Sequence, residues 1–234
     1  VNNFRGHWCL LWYISANSSV LDIGLMMDVA EVSPKARQRT RLSPEARQAQ
    51  LLKCAVIAFA NNGIGRAVHA DVAELANVSV PTVFNYFRTR EDLVDAVLGE
   101  VERFFLEVAN KAHHADLGAV DSLNAHGNQF VESAINQPEY VKVWLEWTSS
   151  LRDDVWPRYL VLHNRVINQI ARSIQRGIDS GEISVGLSAR ELAMIFMGSA
   201  HSVAMMVYAP ETTADGIRAF MQRAVQVLLG KSID

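Results

Sequence analysis

The sequence predicts an all-α protein, and three observations carry that reading. Strand signals are nearly absent, with no alternating β-branched runs and no Asn-Gly hairpin between such runs. Apolar residues recur at three- and four-residue spacing along most of the chain. Helix punctuation, with Ser, Thr or Pro at the near end and Gly or Asn at the far end, divides the chain into helix-sized pieces. With 234 residues, 50% hydrophobic and 20% charged, the chain can bury a sizeable core without disulfide or metal staples.

The first helix opens with Ser43 as N-cap and Pro44 at the first helical position, and closes at Asn62 and Gly63. Its apolar stripe reads Leu52, Ala55, Val56, Phe59 and Ala60. A short second helix spans 71–76, a turn follows at 77–79, and a third short helix spans 80–87 with Ser79 as N-cap and Pro81 in its first turn. Thr89 and Asp92 stand at capping-box spacing. They open a long helix striped with Leu93, Val97, Val101, Phe104 and Val108. Further breaks at 115–118, 137–138, 153–157, 180–181, 186–188 and 209–210 leave about five more helices, nine to ten in all. Asp153 and Asp154 read as a helix cap.

Charge is unevenly placed. The net charge is −3, but residues 33–66 carry seven bases (Lys35, Arg37, Arg39, Arg41, Arg47, Lys53, Arg66) against one acid, Glu45. Residues 1–32 carry one base against three acids, and residues 67–234 carry fourteen bases against twenty-one acids. A basic block beside an acidic remainder fits either a polyanion contact or a solvated basic tail. The two cysteines, Cys9 and Cys54, cannot build a disulfide framework, so a reducing, cytoplasmic compartment is expected. No apolar run reaches the roughly 18 residues of a membrane span, so no membrane partner is expected. The apolar run Trp8 to Ile14 reads as a weak secretory signal, an amphipathic anchor or, preferably, an upstream extension ahead of a start at Met26 or Met27.

Two short helices joined by a tight turn and backed by a first helix form a unit that can place one helix in the DNA major groove. Within 71–87 the residues read as inward-facing are Val72, Ala73, Leu75, Ala76, Val78, Val83, Phe84 and Phe87. Those read as outward-facing are Ser79, Thr82, Asn85 and Tyr86, with Arg88 just beyond. Asn pairs bidentately with adenine, Thr meets a thymine methyl, and Tyr reaches a phosphate. Thr89 and Arg90 stand at a helix N-terminus, which favours phosphate. An ordinary helical hairpin with a solvated polar face remains the alternative.

The stretch from Val72 to Val94, VAELANVSVPTVFNYFRTREDLV, resembles the helix-turn-helix of the TetR family as it runs into the fourth helix. Residues 39–44 (RTRLSP), 63–66 (GIGR), 69–71 (HAD) and 83–87 (VFNYF) are similar to the LuxR/HapR/SmcR branch of quorum-sensing master regulators. So are 144–147 (WLEW) and 152–157 (RDDVWP). The likeness covers residues 35–185 well, the last two helices weakly and residues 1–30 not at all. Pro81 departs from the Ala of the pattern, and Phe84 stands where general TetR proteins carry Tyr. The resemblance implies a TetR-type transcription factor, with a three-helix helix-turn-helix DNA-binding domain followed by a helical dimerisation and ligand domain. On that plan 1–32 is an N-terminal extension, 33–90 the DNA-binding domain with its basic arm, and 91–234 the dimerisation and ligand-binding domain. It implies Arg39 and Arg41 as an arm entering the minor groove, whose negative potential draws Arg. Arg66 joins Ser79, Thr82, Asn85, Tyr86, Arg88, Thr89 and Arg90 as expected DNA contacts. The expected partners are a pseudo-palindromic double-stranded operator, a second copy of the chain, and an apolar small-molecule effector.

Two late stripes read as a dimer interface or as packing within one chain. They are Leu192, Ile195, Phe196, Ser199, Val203 and Met206, then Ile217, Phe220, Met221, Ala224, Val225 and Leu228. From these, Ile195, Ser199, Val203, Phe220, Ala224 and Leu228 are expected at the interface. The aromatics Phe104, Phe105, Trp144, Trp147, Trp156 and Tyr159, ahead of both stripes, read as plain core or, on the plan the resemblance implies, as part of a cavity lined by Phe105, Trp144, Tyr159 and His163. No zinc-type His spacing, nucleophile elbow or complete dinucleotide glycine motif is present, so no metal, cofactor or catalytic role is expected. Two alternatives to the quorum-sensing reading stand: a metabolite- or drug-responsive repressor of a neighbouring gene, and a helical small-molecule-binding protein with no DNA role.

Overall fold

Nine α-helices and their connections account for the residues described by the computed structural model, 42–114, 116–151 and 154–230. Arg39, Arg41, Cys9, Asp153 and the extension 1–32 lie outside these residues. Helix α1 (Pro44–Asn62) starts where the Ser43 hydroxyl accepts the Ala46 N–H at 3.2 Å. It ends at Gly63, whose φ of 88° suits a residue without a Cβ. Helix α2 (His69–Ala76) begins two residues earlier than the sequence predicts, because the Asp71 carboxylate accepts the Val68 N–H at 2.8 Å. Asn77, at φ 51°, turns the chain into α3 (Val80–Phe84).

Helix α3 is shorter than the predicted 80–87. Tyr86 and Phe87 both donate to the Val83 carbonyl, so the helix tightens into a turn that swings Phe87 into the core. Helix α4 (Arg90–Ala112) has the predicted reciprocal cap, with the Thr89 Oγ1 accepting from Asp92 N–H and the Asp92 carboxylate from Thr89 N–H, both at 3.0 Å.

The remaining helices are α5 (Ala119–Asn136), α6 (Pro138–Ser149), α7 (Trp156–Asp179), α8 (Ala189–Val207) and α9 (Ala214–Leu228). Helix α5 is the hub, packed by α4, α6, α7, α8 and α9. Its first two amides are held by the Glu182 carboxylate at 2.8 and 3.0 Å. Gly177 lets α7 approach it closely, since a Cβ there would stand 2.5 Å from the Ala119 Cβ. Ser188 and Glu191 cap α8 reciprocally, and Thr213 caps α9. Helix α7 begins at Trp156 behind Val155, so Asp154 is not the cap the sequence suggested. Among the described residues no helix is long and apolar enough to cross a membrane.

Several stripe positions shift by one residue. Leu51 and Cys54 lie fully inside on α1 and Leu52 only half so, while Phe105 rather than Phe104 is buried on α4. Each of these helices is covered on more than one side, and apolar spacing alone does not say which flank is sealed.

Candidate nucleic-acid interface

Helix α3 has one inward turn. Val83 is fully buried and Phe87, four residues on, is nearly so; both join the apolar core, and α3 packs on α2. A second tie is polar: His69 Nε2 lies 2.8 Å from the Phe87 carbonyl and donates to it. The face left outward carries Ser79, Phe84, Asn85 and Arg88, all exposed.

Phe84 corrects the sequence reading. With Val83 and Phe87 pointing inward, its side chain lies about 100° round the helix and is 44% exposed. Its ring stacks on His69, with centroids 3.9 Å apart and planes 7° from parallel. Thr82 and Tyr86, expected to face outward, are half-buried, and Thr82 Oγ1 shares a 2.8 Å hydrogen bond with Ser79 Oγ. Thr89 is exposed but engaged in its cap. Arg66 is exposed, with Nε donating to the Asn62 carbonyl at 3.0 Å. Arg90 is half-buried, and its guanidinium holds the Ile64 carbonyl at 2.5 Å. The eight expected contact residues among those described thus divide into outward polar groups and groups already serving the fold.

Of the expected cavity residues, Phe105, Trp144 and His163 line a cavity of about 20 Å³ among α4, α5, α6, α7 and α8. His126, Phe130 and Met197 also line it, and none of the three stood out in the sequence. Tyr159 lies outside this lining and points its hydroxyl at His163 Nδ1 at 3.4 Å. Burial pushes its phenol up to about 12 and lowers the His163 imidazole. Behind His126 runs a polar chain: Arg176 donates to Ser173 Oγ at 3.1 Å, which lies 3.0 Å from His113 Nδ1. His113 Nε2 is 2.8 Å from His126 Nδ1. Arg176 can only donate, which leaves the Ser173 proton for His113 Nδ1 and favours the Nε2–H tautomer aimed at His126. Desolvation lowers both imidazoles, His113 to about 4 with help from Arg176 and Arg172, and His126 to about 3 with help from His113. Among the described residues no three His, Cys, Asp or Glu side chains gather as a metal site.

The predicted interface residues divide. Ile195 is 51% exposed, and Ser199, Phe220 and Ala224 are half-buried. Val203 and Leu228 are buried inside their own chain, because α8 and α9 pack on each other and on α5 before meeting any partner. The outward apolar residues of these helices are instead Met194, Ile195, Met205 and Val227.

Comparison with known proteins agrees with this architecture. The profile described as "Bacterial regulatory proteins, tetR family" matches residues 51–97, from within α1 to within α4. The HTH-type transcriptional regulator LuxR of Vibrio harveyi is 40% identical over 167 residues, 71% of this chain and 82% of that protein. A TetR-like transcriptional regulator from Rhodococcus sp. RHA1 superposes with a TM-score of 0.67 at 19% identity, covering 82% of this chain and 100% of that one. The regulator FadR from Bacillus subtilis, solved with stearoyl-CoA, superposes with a TM-score of 0.67 at 20% identity over 79% of this chain and 99% of that one. A buried-anchor helix-turn-helix inside the matched segment, together with 40% identity to one such regulator over most of both chains, leads to one assignment: the chain belongs to the TetR family of bacterial regulatory proteins and is a DNA-binding transcriptional regulator.

Proposed function

We propose that the protein works as a cytoplasmic homodimer on a pseudo-palindromic operator, in the manner of a quorum-sensing master regulator, with residues 33–90 reading DNA and 91–234 joining the two copies and receiving an effector. The observation that carries this reading is the division of residues 79–88, around α3, into a buried anchor at Val83 and Phe87 and an outward face that includes Ser79, Asn85 and Arg88. The likeness to LuxR supports the branch. Asn85 would read a base edge, Ser79, Arg88 and Arg66 would meet phosphates, and Arg39 and Arg41 would enter the minor groove. Thr82, Tyr86, Thr89 and Arg90 would act mainly by holding that face in place, as their internal contacts indicate.

The outward apolar residues of α8 and α9 would pack against their symmetry mates, with Ile195 near the centre. An apolar effector would enter beside Phe105, Trp144 and His163. A space of about 20 Å³ admits little more than one water, whereas drug-sized ligands occupy roughly 300–1,000 Å³. The aromatic walls would therefore have to part for such a ligand.

Duplex selection from a random library, followed by titration at rising salt, tests the core of this reading. The log of affinity should fall linearly with the log of salt, and Asn85→Ala should relax preference at one operator position without changing the salt slope. Binding that ignores both salt and sequence would overturn it.

A further inference from the structure

The helix-turn-helix meets the rest of the chain largely through packing of α1 on α4 and α6, and apolar packing of that kind is non-directional. Two directional ties converge on one residue. Glu146 on α6 accepts the Ile64 N–H through Oε1 at 2.8 Å, across 82 positions of sequence. On the other side, Arg90 at the start of α4 donates to the Ile64 carbonyl at 2.5 Å. The backbone between α1 and α2 is thus gripped by a carboxylate and a guanidinium, and hydrogen bonds to charged groups are the stronger and more directional kind. Gly63 makes room for the grip, since a Cβ there would stand 2.9 Å from Glu146 Oε1. Ile64 itself is buried. Five residues on, His69 opens α2 and holds the Phe87 carbonyl at the end of the reading segment.

We propose that Glu146 is a positioning residue that touches no DNA but sets the angle of the reading head on the body, and through it the distance between the two heads of a dimer. The inference rests on the dimer-and-operator reading above. Two half-sites lie about 34 Å apart centre to centre, so a loosened head still fits one half-site but meets the second with a lower effective concentration.

The test uses the full-length protein and a duplex that the wild type selects from a random library. Affinities are measured for that duplex, for one arm of it, and for a version with one base pair inserted at its centre. Glu146→Ala should bind the full duplex on the order of tenfold more weakly, bind the single arm within about twofold of wild type, and lose less than wild type on insertion. Glu146→Gln should restore the wild-type pattern, because its amide oxygen accepts the same N–H. Equal losses on arm and full duplex, no loss at all, or no rescue by Gln would each overturn the proposal. Hydrogen exchange at the Ile64 amide gives a readout that needs no variant: slow exchange is expected, and exchange as fast as an unprotected loop amide would overturn the grip. A wild type that selects no duplex defeats the functional reading instead, and the amide measurement still judges the contact.

Discussion

Acid should unfold this protein earlier than its carboxylates alone would require, and the cause is the imidazole pair beside the cavity. His113 and His126 are hydrogen-bonded at 2.8 Å, with desolvation holding them neutral at about 4 and about 3. In the unfolded chain each returns to roughly 6.5. Between those values the unfolded state binds more protons than the folded one, so stability is complete above about pH 6.5 and drains as pH falls toward the folded values. At pH 5 the linkage comes to about 2 kcal/mol for each imidazole, hence about 4 kcal/mol for the pair. Against a total of roughly 5–15 kcal/mol for a folded domain, that is a large share. Urea unfolding followed by circular dichroism at pH 7 and pH 5, at one protein concentration, measures the difference. The double variant His113→Gln with His126→Leu should lose only a small part of that increment. If wild type and variant lose the same stability between the two pH values, the pair is not buried and neutral as described.

Val83→Ala removes two methylene equivalents from a fully buried site and should cost about 2 kcal/mol, raising exchange of α3 amides, lowering the unfolding midpoint by several degrees and weakening DNA binding. Ile195→Glu places a charge on a side chain that is exposed in the protomer, so the fold should persist while light scattering reports monomer and operator affinity falls; a dimer that survives would move the interface elsewhere.

The local devices were legible because they are local. Ser43 with Pro44, Thr89 with Asp92, and the breaks at Gly63, Gln137 and Ser180 act within three or four residues, where sequence spacing is spatial spacing. The α3 anchor at Val83 and Phe87 was visible for the same reason, but Phe84 was not. Its place depends on where α3 ends and on His69, fifteen positions earlier, offering a flat ring. His126 showed no signal, because its partners lie on the α4 end and its cavity is closed by α6, α7 and α8. Val203 and Leu228 read as interface residues because a stripe on an amphipathic helix looks the same whether its cover is the same chain or another.

By itself the sequence determined the all-helical class, most of the helix limits, the basic segment 33–66 and the helix-turn-helix with its likeness to one branch of regulators. Each of these follows from propensity, capping, charge or a contiguous motif. Only the tertiary structure decided that Glu146 and Arg90 hold one loop residue from opposite sides, that two histidines share a buried hydrogen bond, and which stripe of α8 stays outside. Those outcomes depend on residues 13 to 82 positions apart, brought together where α1 packs on α4 and α6 and where α5 packs against five helices.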